Sequence, residues 1–220
     1  MKKMKLSQEG LKLIACVTML IDHIGAVFVP GNALRVIGRL AFPIYCFLLA
    51  EGIHHTRDPK KYGLRLLVGV LLAELPFDLL FFGRLNWVRC SVMVTLLLGF
   101  LYGMAVRRVE KLEHKIVLVL PFMLAADWLG TDYRGWGVAM IALFLLTREM
   151  PQRRLVQAVG LALLCWLMGG ASIQMFAVAA LVPIFCYGGE KATSSRWVQR
   201  GFYLFYPVHL TVLLVLAQLL

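Results

Sequence analysis

The sequence predicts an all-α fold: a polytopic integral membrane helical bundle of about nine transmembrane segments with a cytoplasmic N-terminus. Two observations predict this fold class. First, 60% of the 220 residues are hydrophobic and the mean hydropathy is +0.78, whereas soluble domains are usually about 45–50% apolar. Second, charged residues make up only 16% of the chain and fall in clumps. The apolar stretches between the clumps approach the length that a bilayer crossing needs.

Nine apolar stretches are candidate membrane spans. We expect residues 1–220 to form one transmembrane domain, because no hydrophilic domain separates these stretches. Two of these stretches lie within 115–147, and both are short compared with the roughly 20 residues of a typical crossing. They are thin crossings or a re-entrant hairpin with TDYRG at its tip. The candidate spans are 11–29, 34–53, 62–82, 88–106, 115–129, 135–147, 155–169, 171–188 and 201–219.

Lysine and arginine are distributed unevenly between the two sets of loops. Eighteen of the 23 lie in the N-terminal segment or after the even-numbered spans, in what we call the basic loops. The other side has five: Arg35, Arg39, Arg84, Arg89 and Arg134. Because basic residues concentrate in the cytoplasm, this pattern predicts a cytoplasmic N-terminus. The net charge of +11 then reflects topology and attraction to an anionic lipid bilayer, and we expect no nucleic-acid partner.

The remaining ionisable residues are concentrated in the extracytoplasmic half of the predicted spans and in the loops beside it. Charges at membrane depth normally face a partner or water, so this concentration suggests a polar cavity that opens outward. The alternative is a set of arginine–carboxylate pairs that only join helices. We call these residues the outer polar group: Asp22, His23, Arg35, Arg39, Glu74, Asp78, Arg84, Arg89, Asp127, Asp132, Arg134 and His209.

Asp22 and His23 are adjacent within the first apolar span. Neighbouring residues on a helix point about 100° apart, so Asp22 cannot orient the His23 ring directly. We expect Asp22 to face an arginine such as Arg39 while His23 faces the cavity. A histidine in a membrane is often only an interhelical hydrogen-bonding group, but the acid beside it and the arginines nearby favour a functional role.

No metal site is expected. Neither His23 beside Asp22 nor His54 beside His55 has the i,i+4 spacing of helical metal ligands. The five cysteines lie in or beside apolar runs without a CxxC pair, which favours a role as small buried hydrophobic residues.

The segment GFLYG (99–103) has the small-xxx-small spacing that predicts close helix packing.

Several blocks of the chain resemble the TraX family. These are LKLIACVTMLIDHIGAVFVP (11–30), LRVIGRLAFPIYCFLLAEGIHHTRDPKKYGLRLL (34–67), AELPFDLLF (73–81), AADWLGTDYRGWGV (125–138) and FYLFYPVHL (202–210). The resemblance covers roughly 10–210. It implies a single acyltransferase-like domain in the bacterial cytoplasmic membrane and a role as an acetyltransferase, since the founding member of the family N-acetylates conjugative pilin.

A fainter similarity links the chain to the acyltransferase-3 membrane enzymes, whose first helix carries an Arg-x10-His pattern. In this sequence Lys12 stands where that pattern has arginine, and His23 follows ten residues later. Lysine lacks the bidentate fork of arginine. The similarity implies a catalytic role for His23 and, less directly, a cosubstrate contact for Lys12.

Together the resemblances imply acetyl transfer from cytoplasmic acetyl-CoA to an amine or hydroxyl outside the cell. His23 is the expected general base, because imidazole titrates near neutral pH, and His209 is the reserve candidate. Asp22 and Arg39 are expected to set the electrostatics, with Arg39 stabilising the oxyanion. Expected contacts to the phosphates of acetyl-CoA are Lys12, Arg57, Lys60, Lys61, Arg65, Arg107 and Arg108. The expected polar cluster on the substrate side is Glu74, Asp78, Asp127 and Asp132.

A proton-coupled secondary transporter is the alternative function. Intramembrane Asp, Glu and His residues also serve as proton relays. Transporters usually consist of two related halves with a binding site at the midplane, and the sequence shows neither feature. The nature of the extracytoplasmic acceptor stays open.

Overall fold

Residues 5–86, 88–190 and 195–220 are described by a computed structural model, and their regular structure is helical apart from two isolated β-bridges. The bridges join Leu6 to Tyr187 and Cys90 to Thr131. The helices are α1 (Gln8–Val27), α2 (Ala33–Gly38), α3 (Ala41–His55), α4 (Pro59–Phe82), α5 (Val92–Val106), α6 (Leu112–Val117), α7 (Val119–Trp128), α8 (Arg134–Thr147), α9 (Arg153–Gly169), a 3₁₀-helix (Ile173–Ala180), α10 (Leu181–Phe185) and α11 (Arg196–Leu219).

Three of the helices begin at capping residues that the sequence supplies. The Ser7 hydroxyl accepts a hydrogen bond from the backbone N–H of Gly10, over 3.1 Å, at the start of α1. Asp58 accepts one from the backbone N–H of Lys61, over 3.0 Å, and α4 follows. Ser91 caps α5. Such caps satisfy backbone donors that the first helical turn leaves without a partner.

Several predicted spans differ from the observed helices, and the span 115–129 is divided into α6 and α7. The span 88–106 begins only at Val92, because Ser91 caps the helix. The span 34–53 is divided into α2 and α3 at residues 39–40. The span 171–188 is wrong as one continuous helix, since it consists of the 3₁₀-helix followed by the five-residue α10. At about 2.0 and 1.5 Å per residue, these two pieces extend over roughly 24 Å, less than the roughly 30 Å hydrocarbon core of a bilayer.

The surface of the bundle is apolar where a soluble protein would be polar. On α1, Leu13 is 58% exposed, whereas Asp22 is 8% exposed. A protein that folds in water would usually bury the leucine and expose the aspartate. Within the described residues, three helical segments are long and apolar enough to cross a membrane: Gln8–Val27, Ala33–His55 and Trp197–Leu219. The exposed leucines and the buried aspartate therefore agree with lipid as the surrounding solvent.

Glycines allow close packing inside the bundle, as the GFLYG segment predicts. A Cβ at Gly99 would overlap Ile141 of α8, and a Cβ at Gly103 would overlap Ile53 of α3. The predicted close helix packing is therefore confirmed, and α5 lies against both helices. The fully buried residues around this contact include Ile53, Ile141 and Phe144.

The site described below lies where α1, α2, α4 and α11 meet. Helix α2 folds back against α1, and α11 packs against both α1 and α4. His23 lies 15 residues after the start of α1, and His209 lies 13 residues after the start of α11. At about 1.5 Å per residue, both histidines lie roughly 20 Å along their helices. Two helices that run in the same direction therefore bring these side chains to the same level.

Candidate functional site: a histidine pair beside a buried ion pair

The two histidines of the outer polar group contact each other directly. His23 Nδ1 lies 2.7 Å from His209 Nε2, although 186 positions separate the residues. The ring planes are within 9° of parallel and the centroids are 5.0 Å apart, nearly twice the N···N distance. The rings therefore meet edge to edge along a hydrogen bond. The two residues that the sequence suggests as alternative bases form one unit.

Each ring of this histidine pair has a second set of contacts. His209 Nδ1 lies 2.8 Å from the backbone oxygen of Phe205, one turn earlier on α11. Phe205 stacks on the His209 ring with centroids 4.7 Å apart. Phe81 of α4 meets the edge of His23 at 5.5 Å, and Tyr206 meets it at 6.1 Å. Aromatic side chains from α4 and α11 thus restrict the orientation of both imidazoles.

Asp22, which points about 100° away from His23 around α1, forms ion pairs with two arginines. Arg39 Nη2 donates to both carboxylate oxygens, over 2.7 and 2.8 Å, and Arg35 Nε donates to Oδ1 over 3.0 Å. The predicted contact between Asp22 and Arg39 is therefore confirmed, and Arg35 joins it. Arg35 and Arg39 are four residues apart, so they lie on the same side of α2 and its C-terminal cap. Asp22 is a counter-ion for two arginines, and the histidine ring is held by His209 instead.

Glu74 and Asp78 lie one turn apart on α4, and backbone groups satisfy most of their oxygens. Glu74 accepts hydrogen bonds from the backbone N–H of Ser91, at 3.1 and 3.2 Å, and from its hydroxyl at 2.5 Å. Asp78 Oδ2 accepts one from the backbone N–H of Asn86 at 2.9 Å, whereas its buried Oδ1 has no partner. In the part of the chain that the structure describes, no ion pair joins either carboxylate to an arginine. The arginine-pairing alternative therefore does not describe these two acids.

The segment before α8 brings two further acids to this end of the bundle. Asp127 Oδ1 accepts a hydrogen bond from the backbone N–H of Gly135 over 3.1 Å. The backbone N–H of Asp132 donates to the oxygen of Cys90 over 3.0 Å, which extends the bridge between Cys90 and Thr131. The exposed Asp132 side chain interacts electrostatically with Arg39. Asp132 thus adds negative charge near the ion pair around Asp22.

Two groups in this region were missed by sequence reasoning. Tyr206 contacts both histidines, with ring centroids 6.1 Å from His23 and 5.5 Å from His209. Ser91 joins the α5 N-terminus to Glu74. Tyr206 belongs to the FYLFYPVHL block, and Ser91 has the position of an N-cap before an apolar run. Both motifs are visible in the sequence, but the residues that Tyr206 and Ser91 contact are not.

Several of the basic residues expected to contact acetyl-CoA form hydrogen bonds or ion pairs with other side chains of the protein. Lys12 donates to Gln199 Oε1 over 2.6 Å, and Lys61 pairs with Asp58 at 3.1 Å. At about 1.5 Å per residue, Lys12 lies some 16 Å along α1 from His23. Lys12 therefore belongs to the opposite end of the bundle from the histidine pair.

The other predicted cosubstrate contacts lie around the end of α3, the start of α4 and the end of α5. The Arg65 guanidinium lies over the rings of Tyr62 and Tyr203, at 5.4 and 5.5 Å. Arg107 donates to the backbone oxygen of Ile53. Of the remaining three, Arg57 and Arg108 are exposed, and Lys60 lines a surface cavity.

An ion pair near the C-terminal ends of α3 and α8 was also not expected. Glu51 of α3 is 7% exposed, and Arg148 Nε donates to its Oε1 over 2.6 Å. His55 Nε2 lies 3.5 Å from the other carboxylate oxygen. The sequence separation of 97 residues explains why no local pattern predicts this pair.

Two open surface cavities lie beside basic loops. One, of about 400 Å³, is lined by Pro151–Leu155, and the other, of about 420 Å³, lies between the start of α4 and the end of α5. Neither is lined by a member of the outer polar group, so the predicted outward-facing cavity is not one of these two. In the described residues, no group of three or more His, Cys, Asp or Glu side chains is arranged to hold a metal ion.

Comparison with known proteins identifies the family. The family described as "TraX protein" matches residues 7–217, which include every residue of the histidine pair and of the ion pair around Asp22. The chain belongs to the TraX family. The similarity to acyltransferase-3 enzymes, in contrast, stays a prediction.

Two relatives of this TraX-family chain extend the comparison. It is 32% identical over 241 residues to the "Probable fimbrial assembly protein FimC, serogroup H1" of Dichelobacter nodosus, with 92% of each chain covered. It is 26% identical over 146 residues to an uncharacterised protein of Rickettsia prowazekii (strain Madrid E), with 63% of this chain and 54% of that protein covered. No solved structure gives a significant match.

Proposed function

We propose that this TraX-family chain is a membrane-embedded acetyltransferase that moves an acetyl group from cytoplasmic acetyl-CoA to an extracytoplasmic amine or hydroxyl. The observation that carries the proposal is the hydrogen bond of 2.7 Å between His23 and His209. Imidazole is the side chain best suited to proton transfer near neutral pH, and ionisable groups inside membrane spans are usually functional. Family membership supports the same reaction through the activity that the resemblance to the TraX family implies.

We propose that the chain crosses the bacterial cytoplasmic membrane nine times, with its N-terminus inside and its C-terminus outside. The division of 18 against five basic residues between the two sides supports this orientation. The histidine pair then lies in the extracytoplasmic half, and the basic loops lie in the cytoplasm where acetyl-CoA is made. Segments α6–α7 and α8, and the 3₁₀-helix together with α10, are the short crossings of this topology.

In the proposed reaction His23 acts as general base. It accepts the proton of the attacking amine or hydroxyl while that nucleophile bonds to the acetyl carbon. The carbon–sulfur bond breaks, and the proton on His23 passes to the coenzyme A sulfur. Atoms and charges balance, because one acceptor proton is exchanged for one acetyl group. General-base help of this kind accelerates a reaction by about 10²–10⁴-fold.

The charges beside His23 have supporting roles. The Arg39 Nη2 group is held by Asp22, which leaves Nη1 as the proposed donor to the oxyanion of the tetrahedral intermediate. Glu74, Asp78, Asp127 and Asp132 form the proposed substrate-side cluster. The basic residues Lys12, Arg57, Lys60, Lys61, Arg65, Arg107 and Arg108 are the proposed contacts for the phosphates of acetyl-CoA.

The experiment uses detergent-purified full-length protein with acetyl-CoA. We expect release of the coenzyme A thiol and a mass increase of one acetyl group on an acceptor in envelope extracts, with pilus subunits as the first acceptors to examine. The printed name of the Dichelobacter relative, a fimbrial assembly protein, motivates that choice. His23→Ala should abolish transfer, whereas His114→Ala, at an exposed position, should leave it unchanged. Transfer at the unaltered rate by His23→Ala would remove His23 as the base.

One observation favours the rival function, a proton-coupled transporter. Asp78 is buried and its Oδ1 has no partner, as a proton-carrying carboxylate would be. Reconstituted vesicles distinguish the two functions. Solute uptake that acetyl-CoA does not affect, without release of free thiol, would favour the transporter, and thiol release without uptake would favour the enzyme.

A further inference from the structure

The hydrogen bonds of the histidine pair determine which nitrogen atoms carry protons. The Phe205 backbone oxygen lies 2.8 Å from His209 Nδ1 and can only accept a hydrogen bond. His209 Nδ1 must therefore carry a hydrogen. In a neutral imidazole only one nitrogen is protonated, so His209 Nε2 has a free lone pair.

The same reasoning extends to His23. Since His209 Nε2 is an acceptor, the hydrogen in the bond of 2.7 Å must come from His23 Nδ1. A neutral His23 is then unprotonated at Nε2. This assignment follows from the network of hydrogen bonds, since the hydrogens themselves are inferred from their partners.

We infer that His209 is a positioning residue that holds His23 in the tautomer whose Nε2 accepts the substrate proton. This inference rests on the proposed acetyltransferase function and changes one expectation drawn from the sequence, because His209 is no longer a reserve base. Both of its ring nitrogens are engaged, one with Phe205 and one with His23. When His23 becomes protonated at Nε2, its Nδ1–H continues to donate to the neutral His209.

The positioning depends on a short segment of α11. His209 follows Phe205 by one helical turn, so the helix that carries the ring also supplies its hydrogen-bond acceptor. Phe205 and Tyr206 pack against the ring with centroids 4.7 and 5.5 Å away. The His209 side chain is 6% exposed, so water has little access to compete for its Nε2. The segment FYPVH therefore holds both the acceptor for His209 and the aromatic contacts that restrict its rotation.

Two variants separate positioning from simple packing. His209→Gln offers an amide oxygen to the His23 Nδ1–H, whereas His209→Leu fills similar space without an acceptor. We expect His209→Leu to lower kcat for acetyl transfer by about 10²–10⁴-fold, because the wrong tautomer of a catalytic histidine costs this much, with little change in KM for acetyl-CoA. His209→Gln should recover a large part of the loss. Equal, near-normal rates in both variants would overturn the inference.

A spectroscopic measurement needs no substrate. Nitrogen NMR of full-length protein labelled in its five histidines reports which ring nitrogens are protonated. The signals missing from His23→Ala and from His209→Leu assign the two residues. We expect Nδ1–H with unprotonated Nε2 for both residues, and loss of this tautomer preference at His23 in His209→Leu. A protonated Nε2 on neutral His23 would overturn the inference. If the unaltered protein shows the expected tautomers but transfers no acetyl group, the proposed function is contradicted and the inference about the tautomers is not.

Discussion

Gly38 lies directly against Asp22. A Cβ at position 38 would overlap the Cβ and carboxylate of Asp22, and a Cβ at Gly25 would lie only 2.7 Å from the Leu34 side chain. The two glycines allow α2 to fold back on α1. This contact brings Arg35 and Arg39 within hydrogen-bond distance of the aspartate that precedes the proposed base.

Gly38→Ala should therefore disrupt the ion pair around Asp22. Overpacking of a buried contact costs about 1–3 kcal/mol, and displacement of the carboxylate should also reduce acetyl transfer. We expect a lower midpoint of thermal unfolding in detergent together with reduced activity. Gly201→Ala is the matched control, because nothing lies within 4 Å of a Cβ there and alanine favours a helix by about 1 kcal/mol. Equal effects of the two substitutions would contradict the proposed contact.

Asp22→Asn should destabilise the fold more than loss of a surface charge does. It leaves Arg39, whose side chain is 13% exposed, without its counter-ion. Removal of one member of a buried pair costs about 3–5 kcal/mol, and we expect the lower end because Arg35 is partly exposed. Asp58→Asn, at the exposed pair with Lys61, should lower the free energy of unfolding much less, because water screens an exposed ion pair. Chemical unfolding of both variants in the same detergent measures the difference, and similar losses would show that the Asp22 pair is not effectively buried.

Arg148→Met should destabilise the bundle where α3 and α8 end. The buried Glu51 carboxylate would lose its donor at 2.6 Å, and an unpaired buried charge costs about 3–5 kcal/mol. Arg148 also lies 3.7 Å from Glu149, which is 78% exposed. Glu149→Gln is therefore the control on the same arginine, and it should change the unfolding midpoint very little. A stable Arg148→Met protein would show that Glu51 does not depend on this pair.

Cysteine labelling tests the proposed orientation. In a variant without native cysteines, Arg84→Cys should react with a membrane-impermeant maleimide in intact cells, and Arg57→Cys should react only after permeabilisation. Both positions are exposed, so access to the reagent is limited by the membrane alone. The reverse labelling pattern would place the N-terminus outside and would separate the histidine pair from the extracytoplasmic face.

Local patterns predicted a large part of the molecule. The apolar runs indicated helices in a membrane, GFLYG indicated close packing, and the adjacent Asp22 and His23 indicated separate partners. These predictions succeed because helical geometry places neighbouring residues in known directions. The division at residues 39–40 and the 3₁₀-helix at Ile173–Ala180 were not predicted, since hydropathy alone does not distinguish helix types.

The sequence by itself determined the solvent, the helical class and the family, because these depend on composition, periodicity and blocks of consecutive residues. Only the tertiary structure decided that His23 meets His209, that Arg35 joins Arg39 on Asp22, and that Arg148 pairs with Glu51. The histidines are 186 positions apart, and nothing in a one-dimensional pattern states which helices become neighbours. The tautomer inferred for His23 is therefore a property of the packed bundle and not of the residue alone.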